Sequence, residues 1–169
     1  MRVLRWSAAF LAGLVFVIAP RAIVAQQSAM PSEKTVLFVC EHGTVKSLLA
    51  KVLFEEYSKE VGLEMRAESR GTKADSTVPP WMMSALAADH VKLAGWHPQS
   101  LAASDLASAF YVVSFDVPAV ATSNAHAPRT QWDGLPSVMQ DYSKGRDAIK
   151  ARVHQLVDSL KRAETSKLR

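Results

Sequence analysis

Thirteen consecutive residues constrain the fold of this chain more than any other stretch. The apolar run Thr35-Val36-Leu37-Phe38-Val39 ends at Cys40, the only cysteine among 169 residues. Glu41-His42-Gly43-Thr44-Val45 follow, and an amphipathic helical pattern begins at Lys46-Ser47. The short aliphatic run reads as a strand buried on both faces. A buried strand that turns through a short loop into a helix gathers backbone N–H groups and the positive end of the helix dipole at its own end. The same donors stabilise a thiolate, so a thiol placed there ionises readily. A lone cysteine is more often a small buried apolar residue. The loop and helix behind Cys40 mark it instead as a reactive, anion-facing thiol.

From 46 to 61 the apolar positions Leu48, Leu49, Val52, Leu53, Tyr57 and Val61 share one helical face, and Lys51, Glu55, Glu56, Lys59 and Glu60 the other. Gly62 is the expected helix stop. A second strand is predicted over 63–69 and a turn-rich loop over 71–78. Pro79-Pro80 opens a helix through about 88. A short helix over 104–109 takes Ser104 as its cap. Phe110 to Phe115 reads as a strand that ends at Asp116. Long loops around one short strand near 129–132 are expected over 117–145. The last helix is predicted over 144–163, with Ile149, Val153, Leu156, Val157 and Leu160 on one face. Strands alternating with helices imply an α/β domain on a parallel sheet, with its site at the carboxyl ends of the strands.

The N-terminus has a different character. Two arginines lie within residues 1–5, an apolar stretch of 14 residues spans 6–19, and Pro20-Arg21 breaks it. Ala25 before Gln26-Gln27 offers a cleavage point. This is the layout of a secretory signal peptide over 1–25, too short for a comfortable membrane span. It implies export, to a periplasm or out of the cell. Arg21 so close to the cut keeps an uncleaved anchor as the alternative. Residues 26–33 then read as a linker, 34–163 as the domain and 164–169 as a tail. Loss of Arg2, Arg5 and Arg21 takes the basic residues from 20 to 17 against 16 acidic ones, so the net charge falls from +4 to +1. A nearly neutral domain without a basic run gives no support for nucleic-acid binding. A single cysteine forms no internal disulfide.

In this order the residues resemble the low-molecular-weight protein tyrosine phosphatase superfamily, which includes the thioredoxin-linked arsenate reductases. Its signature is a strand, C-x5-R-S and a helix; here Val36-Leu37-Phe38-Val39-Cys40 is followed by a five-residue loop, Lys46 and Ser47. Glu68-Ser69-Arg70-Gly71-Thr72 resembles the second strand with its S-x-G-T turn. Ser84 to Leu86, then His97-Pro98-Gln99-Ser100-Leu101, resembles the next helix and connection. Phe110 to Asp116 resembles the later core strand, and Gln131-Trp132 through Leu160 the segment into the last helix. About 125 residues, from 35 to 160, follow in order. His42 leans toward the arsenate reductase branch, which often reads C-x-H-N.

The resemblance implies a four-stranded parallel sheet flanked by helices. It also implies a thiolate that attacks a phosphoryl or arsenate centre. By position Cys40 is the nucleophile, Lys46 the oxyanion contact and Ser47 the residue that stabilises the thiolate. Main-chain N–H groups of Glu41, His42, Gly43, Thr44, Val45 and Lys46 form the anion cradle. Read from the residues alone, Ser47 either caps the helix or tunes the thiol, and His42 is a loop-stabilising hydrogen bonder before it is a base.

This chain departs from the pattern at several points. Lys46 stands where the family has arginine, which keeps the charge and loses the planar fork. Ser137-Val138 fall where the Asp-Pro of the general acid is expected. Asp133 is the candidate substitute and Asp141 a second, each with a plain loop or cap role as the alternative; Asp116 at its strand end is a further candidate to touch the site. Without an acid the rate falls by roughly 10²–10⁴-fold. Gly43 replaces a loop asparagine and is expected to loosen the loop. No further cysteine exists to carry a disulfide away from Cys40, so arsenate reduction would need an external thiol.

His90, His97, His126 and His154 show no ligand spacing, so neither metal nor cofactor is expected. Trp81, Trp96 and Trp132 read as core or rim packing. The leading expectation is a phosphatase acting on phosphate monoesters, phosphotyrosine among them, with weakened catalysis. The alternative is a non-catalytic binder of phosphate, arsenate or a phosphorylated partner.

Overall fold

The computed structural model describes residues 34–93 and 95–167. The leader and linker expected over 1–25 and 26–33 lie outside the described residues. The elements run β1 (Thr35–Cys40), α1 (Lys46–Val61), β2 (Arg66–Gly71), α2 (Pro80–Ala88), α3 (Ala103–Ser108), β3 (Tyr111–Ser114), a 3-10 turn at Ala119–Thr122, β4 (Arg129–Gln131) and α4 (Tyr142–Lys167). The strands form one four-stranded sheet in the order β2-β1-β3-β4. Every pairing is parallel, as the alternation of strands and helices requires. Cys40 pairs in register with Gly71, Val39 with Ser114, and Ser114 with Gln131. The carboxyl ends of all four strands therefore lie level, and Cys40 ends β1, one of the two central strands.

β1 divides its side chains between two layers, as a period of two demands. Val36, Phe38 and Cys40 join the larger core, which α1 and α4 cover, and Leu37 and Val39 join a smaller one with Leu106 of α3. Directly beneath Cys40, the Phe38 ring packs on Phe54 (5.8 Å between centroids), Phe115 (6.3 Å) and Trp132 (6.2 Å). Trp132 is 7% exposed, so it is core rather than a substrate platform.

Several expected boundaries move. α1 spans the predicted residues, but its buried face is Ser47, Leu48, Leu49, Ala50, Leu53, Phe54 and Ser58, with Val52 and Tyr57 only partly covered. The helix packs on the sheet and on α4 at once, so its buried stripe is wider than the expected one and rotated toward Phe54. Gly62, at φ 67°, closes α1, and the Leu63 N–H donates to the Ser58 carbonyl at 2.8 Å. The cap thereby uses the residues expected to start β2, which begins instead where the Arg66 N–H reaches the Lys34 carbonyl. β3 is shorter than expected at both ends.

Ser104 is not a cap. α3 starts at Ala103 after Ala102, whose N–H donates to the Asp105 carboxylate at 2.8 Å. Alanine offers no side-chain acceptor, so only the Asp105 half of a capping box is made. α4 begins two residues early because Asp141 accepts the Lys144 N–H at 3.0 Å, and it continues past the predicted end to Lys167.

Candidate functional site

The site is built where β1 stops. Cys40 is 7% exposed, and its Sγ accepts the Gly43 N–H at 3.2 Å and lies 2.9 Å from Ser47 Oγ. Ser47 and Ser69 are wholly buried. Ser69 Oγ is 2.8 Å from Ser47 Oγ and 2.9 Å from the Gly43 carbonyl oxygen, to which a hydroxyl can only donate. Sulfur, two hydroxyls and the Gly43 peptide thus close a buried ring around the thiol. Ser47 lies in the first turn of α1, yet its hydroxyl serves Cys40 and no side-chain cap bond is made at Val45.

The orientation of the loop is set from outside. The N–H groups of Thr72, Lys73 and Asp75 donate to the carbonyls of Cys40 (3.0 Å), Glu41 (2.8 Å) and His42 (3.0 Å). In a trans peptide unit N–H and C=O point opposite ways. Carbonyls drawn toward the 72–75 segment therefore turn the N–H groups of Glu41, His42 and Gly43 toward the other side, where Cys40 Sγ receives one of them. Asp75 adds a second brace: its carboxylate accepts the Thr44 hydroxyl at 2.8 Å and lies 3.0 Å from His42 Nδ1. His42 is therefore a loop-bracing side chain, as its residue-level reading predicts.

Gly43 corrects an expectation. It adopts φ +72°, and a Cβ there would lie 2.8 Å from the Gly71 nitrogen, while a Cβ on Gly71 would lie 2.8 Å from the His42 carbonyl carbon. The two glycines let the cradle and the end of β2 pack backbone to backbone. Glycine at 43 does not loosen the loop; the loop is tightest there, and side chains other than glycine are both strained and obstructed.

On the β3 side, Lys46 Nζ is 2.5 Å from Asp116 Oδ2. Asp116 has φ 48°, a left-handed conformation that aspartate tolerates, and its other oxygen accepts the Gly134 N–H at 3.1 Å. The Asp116 N–H in turn donates to Asp133 Oδ1 at 3.0 Å, which also accepts from Gln131 Nε2 at 3.1 Å. Asp133 is placed as a strut between the ends of β3 and β4. Asp141 caps α4, and Ser137 Oγ accepts the Gln140 N–H at 3.3 Å. Val138, 2% exposed, packs on Gly145.

The structure therefore brings Cys40, Gly43, Ser47 and Ser69 together and ties Lys46 to Asp116. Asp133 joins that pair through the Asp116 N–H, and Asp141 makes its hydrogen bond in the turn that starts α4. Sequence reasoning missed Asp75, whose separation from the loop carries no pattern, and the bonding role of Ser69, which the S-x-G-T resemblance located but did not explain. Among the described residues no group of histidine, cysteine and carboxylate side chains could hold a metal ion.

Residues 35–133 match the family model described as low molecular weight phosphotyrosine protein phosphatase. Comparison with curated protein sequences finds no significant match. Among solved structures, a thioredoxin-dependent arsenate reductase of Corynebacterium glutamicum is 20% identical with a TM-score of 0.67, covering 79% of this chain and 64% of its own. A low molecular weight protein tyrosine phosphatase of T. tengcongensis is 19% identical with a TM-score of 0.62, covering 75% and 99%. An arsenate reductase in a phosphate-binding state is 16% identical with a TM-score of 0.60, covering 75% and 98%. At these identities the likeness is one of fold.

Proposed function

We propose that this chain, which belongs to the low molecular weight phosphotyrosine protein phosphatase family, is a cysteine-dependent phosphatase acting on phosphate monoesters. The observation that carries the proposal is the environment of one sulfur atom. Cys40 Sγ receives a backbone N–H and lies 2.9 Å from a buried hydroxyl, beside a loop whose carbonyls are pulled outward. Such donors stabilise a thiolate, and the same geometry binds an oxyanion. In the reaction the Cys40 thiolate attacks phosphorus, the loop N–H groups hold the equatorial oxygens, and Lys46 supplies the nearby positive charge.

Catalysis by this site is weakened, because a lysine tied to Asp116 holds an oxyanion less well than a planar fork does. The test is hydrolysis of a chromogenic aryl phosphate by wild type and Cys40→Ser, with phosphate-induced thermal stabilisation measured in both. Turnover absent from wild type rejects a phosphatase.

A second reading is favoured by the Lys46–Asp116 pair together with Ser137 in the acid's position: a non-catalytic binder of phosphate, arsenate or a phosphorylated partner. Phosphate that raises the melting temperature without any turnover would select it. Arsenate reduction is a third reading, and it would require product formation dependent on Cys40 and an added thiol. Export behind a cleaved leader belongs to the proposal, resting on the sequence of residues 1–25; N-terminal sequencing of the protein recovered from an expressing cell, beginning at Gln26, is the expected result.

A further inference from the structure

A phosphoryl group leaves its alcohol easily only if the departing oxygen receives a proton or is stable as an anion. Among the described residues, the carboxyls at the ends of β3 and β4 accept backbone or side-chain N–H groups or pair with a lysine. Asp116 Oδ2 is paired with Lys46 and its Oδ1 takes the Gly134 N–H. Asp133 Oδ1 takes two N–H groups, from Asp116 and Gln131. Farther along, Ser137 Oγ and Asp141 accept backbone N–H groups in the turn that starts α4. Each of these carboxyls therefore faces donors in the fold rather than the departing oxygen. His42 is drawn the other way, toward Asp75 beyond the end of β2, with Nε2 3.8 Å from Glu41, itself bridged by Lys73.

Resting on the cysteine-phosphatase reading above, we infer that this site delivers no proton and acts on phosphates whose leaving group departs as a stable anion. Acyl phosphates and the phosphates of acidic phenols are that class. In the first step the S–P bond forms as the P–O bond breaks, and the electron pair leaves on the departing oxygen. In the second, water attacks phosphorus, the S–P bond breaks, the pair returns to Cys40 Sγ, and the proton of the water goes to solvent. The missing acid is also the missing base for that water. The second step is therefore slow, and phosphocysteine accumulates when the leaving group is good. Phosphotyrosine, whose phenol has an ordinary pKa of about 10, lies at the slow end of the range.

The test is a series of aryl phosphates whose phenols run from acidic to tyrosine-like, with acetyl phosphate beside them. The purified chain is compared with Cys40→Ser, His42→Asn, Asp133→Asn, Ser137→Asp and the double variant Ser137→Asp/Val138→Pro. The expected wild-type result is a fall in kcat/KM of roughly 10²–10⁴-fold across the series, the worth of the missing acid. An initial burst with the best substrates and a covalent phosphoryl adduct that Cys40→Ser lacks are also expected. A carboxylate returned at 137 should flatten the series, and the single variant covers the case in which replacing buried Val138 perturbs the turn. A flat wild-type series that still depends on Cys40 overturns the inference and leaves the phosphatase reading intact. His42→Asn or Asp133→Asn steepening that series would identify the donor. No turnover and no adduct with any substrate overturns the phosphatase reading itself.

Discussion

Ser69 has one proton and two neighbours that want it. With Cys40 as a thiol, Ser47 can donate to Ser69 and Ser69 to the Gly43 carbonyl. With Cys40 as a thiolate, Ser47 turns its proton to sulfur and Ser69 turns its own to Ser47. Ser69 is thus a positioning residue that lets the ring accept the negative charge. Ser69→Ala should slow Cys40 alkylation by iodoacetamide and cost about 1–3 kcal/mol of stability, because the buried partners lose a hydrogen bond. An unchanged alkylation rate would place the ring outside the chemistry. Lys46→Arg tests the other wall. A fork that keeps Asp116 and adds one contact to the oxyanion should raise kcat/KM by about fivefold, the worth of one net hydrogen bond of about 1 kcal/mol. A fall instead would mean that the Lys46–Asp116 geometry is itself required.

Elements show which boundaries a sequence declares and which it hides. β1 and α1 were legible because an apolar run, a turn and an amphipathic pattern follow one another without a gap, and Gly62 marks the stop. The start of β2 was not, because Leu63 and Met65 are apolar enough for a strand while the α1 cap claims the Leu63 N–H. Burial of Phe54 was hidden too, since two partners for one helix widen its stripe. Gly145 in α4 was unreadable as a requirement: glycine is a poor helix residue, yet a Cβ there would lie 2.8 Å from the Val138 Cα. Gly145→Ala should therefore destabilise by about 1–3 kcal/mol through overpacking, despite its better helix propensity; urea unfolding that shows a gain would contradict the close approach.

The fold as a whole was legible from alternation and from ordered resemblance, while the acceptor commitments of Asp116 and Asp133 depend on strand ends brought level by the sheet. One polar cluster joins two helices. Asp89 beyond α2 accepts the Tyr142 hydroxyl at 2.7 Å and Arg146 Nη1 at 2.9 Å, linking α2 to α4. The Tyr142 bond, then Arg146, hold the Asp89 carboxyl below its usual range, and burial followed by Asp89 pushes the Tyr142 hydroxyl up. A depressed acid stabilises the fold fully above its ordinary value of about 3.9 and loses that contribution as pH falls through the folded value. The melting-temperature gap between wild type and Asp89→Asn should therefore be constant near neutral pH and close at acid pH. A gap that persists there would remove Asp89 ionisation from the account.

The central claim, that a thiolate at Cys40 attacks a phosphoryl group, is tested most directly by intact-mass analysis. Wild type and Cys40→Ser are mixed with acetyl phosphate and with the phosphate of an acidic phenol, and quenched within seconds. The account predicts one phosphoryl group on wild type, mapped to Cys40, and none on the variant. An unmodified wild type beside undiminished phosphate-induced stabilisation would contradict it and leave an oxyanion-binding protein.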